Sequence, residues 1–354
     1  MSSMSYPRVH LDESAATKYS RMVEENRLGS GSYGDVYRCQ HLSTGEVYAI
    51  KRLRERSDAT FGLSSDKYLE IVVFGELKHE NIVRCQDIFF DRGRLCFALE
   101  FCPHSLGDII DSGHYLSLAD RKTICTQLLR GLAYLHANHI SHFDLKPENV
   151  LVRVENGRSL FKITDFGLSL ITGRFQGPSI LFTGKDFRWS PPYRPPEVFG
   201  GVTEVGPTSD LWSIGLVFLE LIVRKTVIQA DEAHIPNKIA DLIGAKPDRT
   251  DPNIKSWAGR YPLSEDYEPP GISYFKQCVN DYHISPEEEE FIGLFLQYDP
   301  AKRISAEDAL SHPFLKDAVL TENVLERDRF ERNLRPLART IFSHEDITLD
   351  SQDL

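Results

Sequence analysis

Any fold available to this chain must accommodate one short segment, His142-Phe143-Asp144-Leu145-Lys146-Pro147-Glu148-Asn149, followed sixteen residues later by Asp165-Phe166-Gly167. A carboxylate, an ammonium and an amide stand within six positions. Asp144 would accept the proton of a substrate hydroxyl and orient its oxygen for in-line attack. Lys146 would stabilise negative charge on the group in transfer. Asn149 would hold a magnesium ion through its amide oxygen, a hard ligand for a hard cation. Asp165 would bridge that ion to phosphates, and Gly167 would free the loop that follows. Asp-Phe-Gly alone is a common turn, so its weight comes from order and spacing.

Upstream, Gly29-Ser30-Gly31-Ser32-Tyr33-Gly34-Asp35-Val36 has the spacing G-x-G-x-x-G-x-V. Glycines let the backbone approach phosphate oxygens without a Cβ clash. A plain tight turn has the same composition. A dinucleotide-binding loop would open a helix here, whereas the next residues, DVYRCQ, read as a strand. Lys51 ends an apolar strand seventeen residues beyond Gly34. Such a lysine can snorkel to the surface, or hold the α- and β-phosphates of ATP if a carboxylate orients it. Glu70 supplies one, from an apolar stretch of helical spacing over 66–78; Glu76 faces another side of that helix.

The net charge of −11 excludes a general nucleic-acid binder, because no excess of cations neutralises phosphates. Six scattered cysteines form no C-x-x-C pair and read as reduced thiols of an intracellular protein, nuclear or cytoplasmic. The start of the chain has no signal-peptide pattern. The most apolar run, Leu211 to Val223, contains Glu220 and is too short for a membrane span, so a buried helix is expected. Residues 1–22 are expected to be a flexible tail, 23–102 a β-rich lobe (with ENIV, DIFF and RLCFALEF as strands), 103–316 a helical lobe, and 317–354 a charged tail. Within that tail, Arg327 to Phe342 reads as a solvated charge run rather than a docking helix.

Taken in order, these motifs resemble the signature of eukaryotic protein kinases over about residues 24 to 316. Pro195-Pro196-Glu197 stands for A-P-E. Ser209-Asp210-Leu211-Trp212 resembles the family's central helix, in which Asp210 would brace the catalytic loop. Asp299-Pro300-Ala301-Lys302-Arg303 resembles the late segment whose Arg303 pairs with Glu197. The resemblance implies an α+β fold of two lobes, a small antiparallel β-sheet lobe with one main helix and a larger α-helical lobe. It implies a Ser/Thr protein kinase using ATP with Mg2+ (or Mn2+) on protein substrates. Leu28, Val36, Ala49 and Leu151 would enclose the purine, Leu99 would be the gatekeeper, and the hinge Glu100-Phe101-Cys102 would offer backbone groups to adenine. Ser32 and Tyr33 match a Thr-Tyr pair whose phosphorylation blocks ATP in relatives; simple loop filling has equal weight.

Within the family, Tyr193-Arg194-Pro195-Pro196-Glu197, LSHPFL and an extra segment near 238–270 are similar to the CMGC group and its cyclin-dependent kinases. Three residues depart from that group. Phe143, Leu69 and Leu170 stand where it has arginines that bind an activation-loop phosphate. The expectation is that apolar packing replaces that phosphate, with Thr183 the nearest candidate phosphosite. SSDKYLE replaces P-S-T-A-I-R-E, so a regulatory partner at the Glu70 helix, if there is one, is not expected to be a cyclin. Arg194 matches an arginine that in the group shapes a pocket favouring proline after the phosphoacceptor, and Ser190 stands where kinases place a Ser or Thr that contacts the catalytic aspartate. Two rivals stay open at this point, a nucleotide-binding pseudokinase scaffold and a small-molecule kinase.

Overall fold

Short connections and strands of β-branched and aromatic residues draw the front of the chain into an antiparallel sheet. The computed structural model describes residues 17–31, 34–54, 70–71, 73–75, 77–171, 189–263, 266–318 and 324. Strands β1 (Arg27–Ser30), β2 (Gly34–Gln40), β3 (Val47–Leu53), β4 (Cys85–Asp91) and β5 (Arg94–Glu100) lie in the order β1-β2-β3-β5-β4. The turn from β4 to β5 is Arg92-Gly93, both at positive φ (50° and 78°), the backbone twist that a tight hairpin needs. Register pairs Val36 with Lys51 and Ala49 with Leu99. Residues paired across strands share a face, as do residues two apart, so these four side chains face the same way. Helix α1, described over residues 70–71 and 73–75, brings Glu70 and Phe74 against that sheet.

Two expectations need correction here. ENIV is not a strand: only Ile82 forms a bridge, to Ile163. The Asn81 amide instead donates to Gln127 Oε1 and to the Phe161 carbonyl, both at 3.0 Å. These bonds tie the segment to the second lobe before the chain returns to the first sheet as β4. The expected N-terminal tail is also shorter at its inner end. Tyr19 is 5% exposed, stacks on Phe89 at 5.5 Å and donates to Asp87 Oδ2 at 2.6 Å. Its backbone neighbours bond to β2 through Ser20 N–H and Gln40 O. An amphipathic ring with a satisfied hydroxyl holds residues 17–22 on the sheet. Residues 1–16 and 325–354 lie outside the described residues.

The second lobe contains β6 (His104–Ser105), α2 (Leu106–Asp111), α3 (Leu118–Ala137), β7 (Ile140–Ser141), β8 (Val150–Glu155), β9 (Arg158–Ile163), β10 (Leu170–Ile171), α4 (Pro196–Phe199) and α5 (Pro207–Val223), with further helices up to residue 309. Small sheets β6-β8-β9 and β7-β10 lie among these helices. Ser105 and Ser117 cap α2 and α3 through reciprocal bonds with Asp108 and Asp120, which satisfies orphan amides at both helix starts. α5 is buried along almost its whole length. A Cβ on Gly215 would stand 2.6 Å from the Phe295 Cβ, so only glycine allows this close helix contact. No helix among the described residues is long and apolar enough to cross a membrane.

Glu220, 1% exposed inside α5, accepts from Tyr193 Oη at 2.9 Å and from Val227 N–H at 2.8 Å. Burial, with Glu148 and Asp111 adding repulsion, outweighs these donors and pushes its pKa up to about 8 from 4.5. Below about 4.5 the carboxyl is neutral in both states. Between about 4.5 and 8 only the unfolded chain gives up this proton, so stability falls as pH rises, by on the order of a few kcal/mol in total. Glu220→Gln cannot titrate. Its melting temperature should therefore rise relative to wild type between about pH 5 and pH 8, on top of a constant loss from the amide facing Val227 N–H. Parallel pH slopes for the two proteins would contradict this.

Candidate active site

Lys51, placed by β3, donates to Glu70 Oε1 at 2.6 Å and to Asp165 Oδ1 at 2.8 Å. Burial opposes the ammonium, but the carboxylates of Asp165 and Glu70 outweigh it and hold the Lys51 pKa above its ordinary value. Burial likewise opposes charge on Asp165, and Lys51 beside it wins, so that carboxyl is held below its ordinary range. The three side chains form one charged unit, brought together from β3, α1 and the segment after β9.

Asp165 sits at φ 63°, and Phe166 turns inward to 1% exposure. Its ring meets Phe74 edge-on at 5.3 Å and His142 at 5.2 Å. The His142 tautomer follows from its neighbours: Nδ1 accepts from Asp144 N–H at 3.1 Å, so Nε2 carries the proton given to the Thr164 carbonyl at 2.8 Å. Asp210, fully buried on α5, accepts from the backbone N–H of both His142 (2.8 Å) and Phe143 (2.7 Å). That clamp holds Phe143 at φ 63°, a costly conformation for a bulky residue.

Asp144, Lys146, Asn149 and Ser190 come together in one hydrogen-bonded group. Asp144 Oδ1 accepts from Ser190 Oγ at 2.7 Å, and Oδ2 from Asn149 Nδ2 at 2.9 Å. Lys146 Nζ lies 3.2 Å from Asp144 Oδ2 and donates to Ser190 Oγ at 2.7 Å. Asn149 Nδ2 also donates to the Asp144 carbonyl at 2.8 Å, which leaves Oδ1 as its remaining donor atom for a cation. This arrangement can orient a hydroxyl at Asp144 and place a cation beside a bound phosphate.

Between the sheet and this loop lies a cavity. Leu28, Val36, Ala49 and Leu99 line it from the sheet, Cys102 and Leu151 from the hinge and β8, and Lys51, Asn149 and Asp165 supply polar groups. Burial, with Glu100 adding to it, pushes the Cys102 thiol up to about 12, so it is an apolar wall rather than a nucleophile. The Glu100 carboxylate is held by Arg153 and Lys162, both at 2.9 Å. Gly31 and Gly34 exchange backbone bonds of 2.9 and 3.3 Å and close the glycine turn. A Cβ on Gly34 would stand 2.4 Å from Arg52 O. Gly29 lies opposite Val36 in the β1–β2 pair, and the Ser30 hydroxyl is committed to Asp35 at 2.7 Å. Phe74, Val83 and Thr164 also line the cavity and were not foreseen. Phe74 had a signal, one helical turn from Glu70; Val83 had none outside the tertiary fold.

Beyond the cavity, Glu197 and Arg303 form a two-pronged ion pair at 2.9 and 2.6 Å. Arg194 pairs with Glu232, lies over the Phe199 ring at 5.1 Å and donates to the Trp189 carbonyl at 3.3 Å. Phe143 and Leu170 join Trp189 and Val198 in one apolar cluster. Ser32, Tyr33, Leu69, Glu76 and Thr183 lie outside the described residues.

A model of the protein kinase domain matches residues 22–315. The chain is similar to a chain in the solved structure of the CAK complex from Chaetomium thermophilum bound to ATP-gamma-S, with 26% identity, coverage of 88% of this chain and 94% of that one, and a TM-score of 0.72. It has the same fold as a chain of the yeast RNA Pol II CTD kinase CTDK-1 complex, with 24% identity, coverage of 86% and 97%, and a TM-score of 0.70. A domain match spanning both lobes, over a cavity bordered by Lys51, Asn149 and Asp165, leaves one conclusion: the chain belongs to the protein kinase family.

Proposed function

We propose that this chain transfers the γ-phosphoryl group of ATP to serine and threonine hydroxyls of protein substrates. One observation carries the reading: the Asp144 carboxylate, fixed by Ser190 and Lys146, is bonded to Asn149, which lines the same cavity as Lys51 and Asp165. Lys51 orients the α- and β-phosphates, Asp144 takes up the hydroxyl proton, and Lys146 offsets charge on the group in transfer. The purine lies between Val36, Ala49 and Leu151. Asp165 and the Asn149 amide oxygen are hard donors suited to Mg2+, and equally to Mn2+. An ion held by these two residues would take its other ligands from phosphates and water. When bound, that ion neutralises charge on the β- and γ-phosphates.

Serine and threonine are preferred on the similarity of Tyr193 to Glu197 to the CMGC group. The same segment supports selection of proline next to the phosphoacceptor. Arg194 engages the Trp189 carbonyl, which is then a poor acceptor for a substrate amide, and proline has no amide N–H to leave unpaired. Peptides with proline after the acceptor should show kcat/KM about tenfold above alanine peptides; equal turnover would remove proline direction and leave the kinase reading standing. Both related structures are of complexes, so a regulatory subunit at the α1 face is part of this reading; SSDKYLE there does not match the cyclin-partner motif. The test of the whole is a peptide-library assay with Mg2+ and labelled ATP. Label on Ser or Thr is expected, whereas nucleotide binding with no labelled product would point to a scaffold.

A further inference from the structure

Phe143 immediately precedes Asp144, and Trp189 immediately precedes Ser190. The Ser190 hydroxyl and the Asp144 carboxylate are bonded at 2.7 Å, so each ring is one residue from one end of that bond. The rings meet edge to face, with centroids 5.0 Å apart and an interplanar angle of 68°, a favoured arrangement for aromatic pairs. Both are buried, at 5% and 6% exposure. Leu170 and Val198 complete the cluster, and Leu168 and Val205 pack against it. Apart from the indole N–H of Trp189, its side chains are apolar. The backbones on either side are pinned by polar groups, Phe143 N–H by Asp210 at 2.7 Å and the Trp189 carbonyl by Arg194. Between the two rings the contact is packing, beside the polar side-chain links of Ser190 to Asp144 and Lys146 to Ser190.

We propose that Phe143 and Trp189 are a positioning pair whose ring contact sets the Ser190–Asp144 hydrogen bond, making the site independent of any phosphate carried by residues 172–188. This rests on Asp144 being the base of the proposed phosphoryl transfer. Neither ring touches the reacting atoms; they act through the two residues that follow them. A phosphate held by arginines would make the same link by charge, and would come and go with a modifying enzyme. A ring contact is permanent.

The experiment compares phosphatase-treated wild type, Trp189→Ala, Trp189→Phe and a variant with alanine at Thr172, Ser179 and Thr183, the hydroxyl residues of that stretch. Displacing a reacting group by a fraction of an ångström lowers kcat far more than ATP binding, so Trp189→Ala should lose about 10²-fold in kcat with KM for ATP unchanged. Trp189→Phe, which keeps a ring, should recover to within about fivefold of wild type, and the triple alanine variant should stay within about threefold. If Trp189→Ala does not melt cooperatively, Trp189→Leu replaces it with the same expectation. Wild-type kcat in the ring-less variant overturns the proposal. So does loss of activity on phosphatase treatment or in the triple variant, and in those cases the kinase reading survives. Wild type inactive in both phosphorylated and dephosphorylated forms sinks the kinase reading instead.

Discussion

Asp144→Asn is expected to lower kcat by about 10²–10⁴-fold, the range for removing a positioned general base. The amide has nearly the shape of the carboxylate, so the fold should stay intact. The hydrogen bonds change in kind, however. Asp144 accepts from Ser190 Oγ and from Asn149 Nδ2 and faces Lys146 Nζ at 3.2 Å. An asparagine offers one acceptor oxygen to these three donors, and its NH2 must face one of them. The substrate hydroxyl then meets a group that cannot take its proton. Affinity for an ATP analogue should move little, since Asp144 is not among the residues lining the nucleotide cavity. Single-turnover phosphorylation beside nucleotide titration separates the two quantities. Unchanged kcat in the variant would remove Asp144 from the chemistry, and an equal loss of nucleotide binding would place its role in the ground state.

The parts of this site that could be read without coordinates were those whose chemistry is local. Asp144 and Asn149 are five residues apart, and the bond between them lies within one loop. Lys51 and Glu70 are nineteen apart, but a strand followed by an apolar helix carries both, and a buried ammonium requires a carboxylate. The β8–β9 hairpin carries one local turn signal, Asn156-Gly157, both at positive φ. Two six-residue strands are too short to stand out in a stretch dominated by helical spacing. Tyr19 gave no warning either. It is an aromatic in a polar stretch, and its partners Tyr48 and Phe89 come from strands far along the chain. The same holds for Phe143 and Trp189. The missing arginines could be noticed one by one, but the contact between the rings belongs to the tertiary structure alone.

Glu197→Gln should cost about 3–5 kcal/mol, the usual loss when one member of a buried ion pair is removed. The pair gives little away to solvent, with side chains 0% and 4% exposed for Arg303 and Glu197. The guanidinium left behind keeps Thr208 O at 2.9 Å, Gln297 O at 3.0 Å and the Trp212 face at 5.4 Å. None of these carries a full negative charge. The melting temperature should fall by about 6–10 °C in a domain of this size. The pair ties α4 to the base of α5 and to the late segment, and α4 directly follows the Ser190–Arg194 stretch. Activity should therefore fall below the melting transition as well, through kcat more than through KM for ATP. Arg303→Met should lose less than Glu197→Gln, because the buried carboxylate it leaves keeps the Ser209 hydroxyl at 3.2 Å and can neutralise by taking up a proton, as an arginine cannot. The double variant, with no charge stranded, should be less destabilised than the two single losses added together, by about 1–3 kcal/mol of coupling. Strictly additive losses would mean that the two groups, despite their 2.6 Å contact, are held by the surrounding fold rather than by each other.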